Sequence, residues 1–107
     1  MEVDKVLKRS RAIKKDIKRL EDSFCGNREL DKITDLRIRG LVFERMYILK
    51  KITNMLRRLP ISQSRVLFMY YVKGYSLKEI ANIEKKSSMW VRKQLHIGEC
   101  NLKNLVA

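Results

Sequence analysis

Apolar residues in this chain recur at helical spacing from one end to the other, and no stretch shows the strict alternation of a strand. Val3, Val6, Ser10, Ile13, Ile17, Leu20 and Phe24 follow one another in steps of three and four, a heptad seam with one polar member. The pattern predicts one amphipathic helix over residues 2–24. Gly26-Asn27 interrupts it and is the expected turn. A second helical pattern runs from about Leu30 to Leu59, carried by Ile38, Leu41, Ile48, Ile52, Met55 and Leu59, with Arg45 in the seam. Val42, Met46, Leu49 and Leu56 widen its apolar stripe, so this helix is expected to touch both the first helix and the C-terminal part of the chain. Gly40 costs up to about 1 kcal/mol relative to alanine inside a helix, which leaves a break near Thr34 or Gly40 open. Pro60 ends the pattern, since it lacks an amide and restricts the residue before it.

Beyond Pro60 the elements shorten. Ser62 is the candidate N-cap of a helix through Val72, with Val66, Leu67, Tyr70 and Tyr71 facing inward, and Lys73-Gly74-Tyr75 is the turn that follows. Ser76 and Glu79 stand at capping-box spacing and open a short helix whose apolar flank is Leu77, Ile80, Ala81 and Ile83. After Glu84-Lys85-Lys86, Ser87 is the candidate N-cap of a final helix from Ser88, in which Val91, Leu95, Gly98, Leu102 and Leu105 keep one face. The expected fold class is all-α: an N-terminal hairpin of long helices, residues 1–59, followed by a tri-helical helix-turn-helix unit, residues 60–107, the two forming one compact domain.

The second part resembles region 4 of bacterial sigma-70-type factors. The residues that carry the likeness are Leu59, Pro60, Val66, Leu67, Tyr70, Tyr71, Gly74, Tyr75, Ser76, Glu79, Ile80, Ala81, Ser87, Val91 and Leu95, and it covers about residues 56–105. The resemblance implies a recognition helix that presents Ser88, Met89, Arg92, Lys93 and His96 to the DNA major groove. It also implies an ability to dock on RNA polymerase. The family usually has leucine, glycine and isoleucine where this chain has Glu84, Lys85 and Lys86, so the turn is expected to lack its glycine and two apolar anchors. Small phage and prophage regulators of the ArpU and RinA type look similar in joining such an ending to charged helices.

Charge sharpens this picture. The 107 residues hold 25 Lys and Arg against 12 Asp and Glu, a net charge of +13, which makes a polyanion the expected partner. Both parts are basic, with 17 cations against 9 anions in residues 1–59 and 8 against 3 in the remainder. On the first helix Lys8, Arg11, Lys15 and Lys18 form a stripe with three open readings: it tracks phosphates, it meets anionic lipid, or it is a solvated face. A membrane is not the expected partner. The longest apolar run, Val66–Val72, is far short of the roughly 20 residues needed to cross a bilayer. The charged N-terminus lacks a secretory h-region, so a cytoplasmic location in a bacterial host is expected.

Candidate chemistry is confined to binding. Arg92 is the leading base contact because a guanidinium bridges the two acceptors of guanine, Ser88 reaches a base edge, and Met89 packs either on a thymine methyl or on the protein. Lys85, Lys86 and Lys93 are candidate phosphate contacts, joined by the helix N-terminus at Ser87, although Lys85 and Lys86 also read as plain turn residues. Trp90, beside Val91, is expected to pack. His96 has no partner at ligand spacing, and Cys25 and Cys100 read as free thiols, so neither a metal, a cofactor nor an enzyme is expected. The heptad seam of the first helix leaves two uses open: pairing two copies into a homodimer, or packing on the second helix of its own chain. Two functions follow, a sequence-specific regulator that reads double-stranded DNA, or a sigma-like module that docks on RNA polymerase or another regulator with little DNA contact.

Overall fold

A computed structural model describes residues 3–106. Helix α1 spans Val3–Asp22 and α2 spans Arg28–Leu56; α3, Ile61–Leu67, runs on into a π-helical turn, Phe68–Val72; α4 is Leu77–Glu84 and α5 is Ser88–Val106. No strand occurs among the described residues. The all-α class, a helical hairpin followed by a helix-turn-helix, is therefore what the sequence forms.

The hairpin turn works as the sequence predicts. Gly26 adopts φ +83, a left-handed conformation that glycine takes without steric cost. Asn27 then caps α2 by accepting hydrogen bonds from the amides of Glu29 and Leu30. Helix α2 is unbroken from residue 28 to 56, so neither Thr34 nor Gly40 interrupts it; an added side chain at Gly40 would meet open space.

The seam of α1 is spent inside the chain. Val3, Leu7, Ser10, Ile13 and Ile17 are buried, while Phe24, expected to continue the seam, is exposed beyond the end of the helix. Leu7, which lies off the expected register, is almost wholly enclosed. Val6 and Leu20 are partly buried, so most of this face is used within the chain. One core joins α1, the C-terminal half of α2 and the four later elements, with Ile52, Leu67, Ile80, Val91 and Leu102 at its centre. Ion pairs bind its edges, Arg9–Glu44 at 2.7 Å between α1 and α2 and Lys103–Asp4 at 3.0 Å between α5 and α1.

One expectation fails at the start of α3. Ser62 is not its N-cap: the helix begins at Ile61 with Pro60 in the cap position, and no side chain caps it. Proline's fixed φ of −54 already suits a helix entry, and the Ser62 hydroxyl turns toward Gln94 at 3.4 Å instead. The end of the element is more unusual. The Lys73 amide bonds back to the Phe68 carbonyl, an i to i+5 step, and the Tyr75 amide to the Met69 carbonyl across Gly74 at φ +75.

Candidate nucleic-acid interface

The capping box closes as its spacing requires. The Glu79 amide donates to the Ser76 hydroxyl and the Ser76 amide to the Glu79 carboxylate, both at 3.2 Å. Ile80 and Ala81 are buried from α4 and seat it against α5. The atypical turn then keeps its shape by two substitutions of means. Lys85 takes the left-handed conformation, φ 55 and ψ 44, that a glycine would otherwise supply, and the amides of Lys85 and Lys86 both bond the Ala81 carbonyl. Glu84, standing in place of an apolar anchor, is largely covered and pairs with Arg65 of α3 at 3.0 Å.

Ser87 caps α5 by accepting from the Trp90 amide at 3.1 Å. The buried face of α5 is Val91, Leu95, Gly98 and Leu102. Gly98 lies so close to α3 that an added Cβ would stand 2.8 Å from Leu67. Two polar bonds fix the rotation of the helix: Tyr71 donates to the Glu99 carboxylate, and Asn101 donates to Gln63 at 2.8 Å. Burial pushes the Tyr71 hydroxyl far up from its ordinary pKa, and the bond to Glu99 adds to the shift.

That rotation turns Ser88, Met89, Arg92, Lys93 and His96 outward onto one face, all exposed. Met89 is 83% exposed, which excludes the reading in which it packs on the protein. Lys85, Lys86 and Ser87 are exposed at the mouth of the same helix. Trp90 is half-buried against the core, as expected, with the Lys86 ammonium 5.7 Å from its ring centre. His96 stands 3.8 Å from Cys100, and no group of three or more metal-ligand side chains occurs among the described residues.

The basic stripe of α1 divides in two. Arg11 is half-buried: it donates to the Tyr70 and Tyr75 carbonyls at 2.6 and 3.1 Å and lies 4.0 Å over the Tyr70 ring. Lys8, Lys15 and Lys18 stay exposed. Lys14, outside the stripe, donates to the Lys73 carbonyl, and its pKa is lowered by burial and by Arg45, Lys73 and Lys18 nearby. Lys15, Lys18, Arg45 and Lys73 line a cleft of about 450 Å³ together with Glu21 and Asp22, and the enclosed Nε of Arg45 has no hydrogen-bond partner. The sequence reading missed this cleft; its signal was Arg45 standing in an otherwise apolar seam.

Compared with known protein families, the chain matches the model of Sigma-70, region 4, over residues 49–98, a little under half of its length. Residues 49–98 are a sigma-70 region 4-like helix-turn-helix. The match takes in the end of α2, the π-helical turn, the capped α4 and the start of α5, so this region-4-like segment includes every outward residue named on α5 and the turn before it. No curated protein and no solved structure matches the chain.

Proposed function

We propose that the protein is a sequence-specific DNA-binding transcription regulator, encoded by a phage or mobile element, that inserts α5 from Ser88 into the major groove. The observation that carries this reading is the face of α5 on which Ser88, Met89, Arg92, Lys93 and His96 stand exposed beside a capped, unobstructed helix start. Arg92 reads guanine, Ser88 a base edge, and Met89 a thymine methyl. Lys85, Lys86 and Lys93 hold phosphates, with the amides at Ser87 favouring another. Residues 60–107 do the reading, and residues 1–59 brace them and supply the cleft of Lys15, Lys18 and Arg45 for flanking phosphates. The location is bacterial cytoplasm; no helix among the described residues is long and apolar enough to cross a membrane. Fluorescence anisotropy on the DNA that flanks its own gene tests this: affinity should fall steeply between low and moderate salt as counterions are released. Affinity independent of salt would contradict it.

A second reading, docking on RNA polymerase, is favoured by a different feature. Leu56, Phe68, Met69 and Ile83 line an apolar groove of about 510 Å³ with Arg57 and Arg65 at its rim. Retention of polymerase subunits from nuclease-treated lysate, abolished by Phe68→Glu, would support it, and loss of polymerase with the nucleic acid would count against it.

A further inference from the structure

The N-terminal half of α2 carries a face that its own chain does not cover. Ile33, Leu36, Phe43 and Tyr47 are between 55% and 73% exposed, with Leu30 and Met46 flanking them to similar degree. With Gly40 they recur in steps of three, four, three and four, the seam of a helix pair. None of these side chains belongs to the core, which α2 enters through Ile48, Ile52 and Leu56, and the seam precedes the family-matched segment, so the region-4 likeness gives it no occupant.

We infer that this face pairs, antiparallel, with the same face of a second copy, Phe43 of each copy resting over Gly40 of the other. Two observations select that occupant. Space is the first: nothing lies within 4 Å of a Cβ added at Gly40, so the position is an open hole one turn from the large Phe43 ring. A parallel pair would set hole against hole and ring against ring. Area is the second. Six such side chains expose on the order of 700 Å² per copy, so full coverage of both copies would fall within the roughly 1,200–2,000 Å² that specific interfaces bury. The inference does not depend on DNA binding, and it replaces the α1 seam as the route to two copies; two recognition helices on one symmetry axis would then read paired half-sites.

Sedimentation equilibrium without DNA tests it. The wild type should reach twice its 12.8 kDa, and Phe43→Glu should raise the dimer dissociation constant on the order of 100-fold, the loss expected of a central aromatic anchor. Gly40→Lys keeps a good helix former at an open position and should also give monomers with unchanged helicity by circular dichroism, so a folding failure of one variant does not decide the question. Ile61→Glu, an equally exposed apolar residue elsewhere, should remain dimeric. A wild type that stays at 12.8 kDa at every concentration overturns the inference, as does a dimer indifferent to Phe43→Glu. So does a monomer that phosphatidylserine vesicles capture through Phe43, which would make lipid the occupant.

Discussion

The hydroxyl of Ser10, enclosed in the apolar seam of α1, donates a 3.0 Å hydrogen bond to the Tyr71 carbonyl in the π-helical turn. Next to it Arg11 reaches the Tyr70 and Tyr75 carbonyls, and one turn on Lys14 reaches the Lys73 carbonyl. The irregular end of α3 leaves carbonyls free of helix partners, and α1 answers them with three donors spread over little more than one turn. The N-terminal helix is thereby fixed to the scaffold of the recognition unit. Removing the hydroxyl leaves a buried carbonyl short of a partner, so Ser10→Ala should cost about 1–3 kcal/mol, read as a lower urea midpoint with an unchanged m-value.

Lys85 holds the helix-turn-helix turn in a conformation that disfavours a side chain by about 1–2 kcal/mol. Lys85→Gly should therefore raise stability by up to about 1 kcal/mol, part of the gain being offset by the freer unfolded chain. The lost cation should weaken DNA binding at the same time. Thermal melts and anisotropy on one preparation check that the two move in opposite directions.

Gly98 sets how closely α3 and α5 approach. A methyl there would press on Leu67, which is fully buried, so Gly98→Ala should destabilise by about 1–3 kcal/mol. Adding Leu67→Val should recover part of the loss in denaturant titrations. If Gly98→Ala is neutral, the helices are less tightly set than described.

Arg9 lowers the pKa of Glu44 from 4.5 through its hydrogen bond, against the opposing effect of burial. A carboxylate whose folded pKa is depressed stabilises the protein above its unfolded value and loses that contribution as pH falls through the folded one. Both side chains are more than a third exposed, which keeps the pair to under about 1 kcal/mol at neutral pH. Glu44→Gln should flatten the fall in stability below pH 4.5 and change little at neutrality, as measured by urea midpoints across that range.

Much of this architecture was legible in the sequence because it rests on local rules. The Ser76–Glu79 box, the Ser87 cap, the Gly26 and Gly74 turns and the outward register of Arg92 each follow from a few neighbouring residues. What escaped depends on residues distant in sequence. Seam position alone cannot reveal that Ser10 is wanted by a carbonyl 61 residues away, nor that Arg11 leaves a solvated stripe to cap the same turn. The broad apolar stripe of α2 likewise gave the right partners for Ile48, Ile52 and Leu56, but Val42 and Met46 stay exposed because α1 and the C-terminal unit cover only part of that helix. The substitution of Glu84 and Lys85 looked damaging locally; Arg65 and a left-handed lysine preserve the turn.

The most direct test of the recognition helix is a gel-shift and footprint series on the DNA flanking its own gene, comparing wild type, Arg92→Ala and Lys93→Ala at two salt concentrations. The account predicts a discrete footprint that Arg92→Ala weakens by about 10- to 100-fold on the cognate site only, while Lys93→Ala weakens all sequences alike. Binding without a footprint, indifferent to both substitutions, would contradict it.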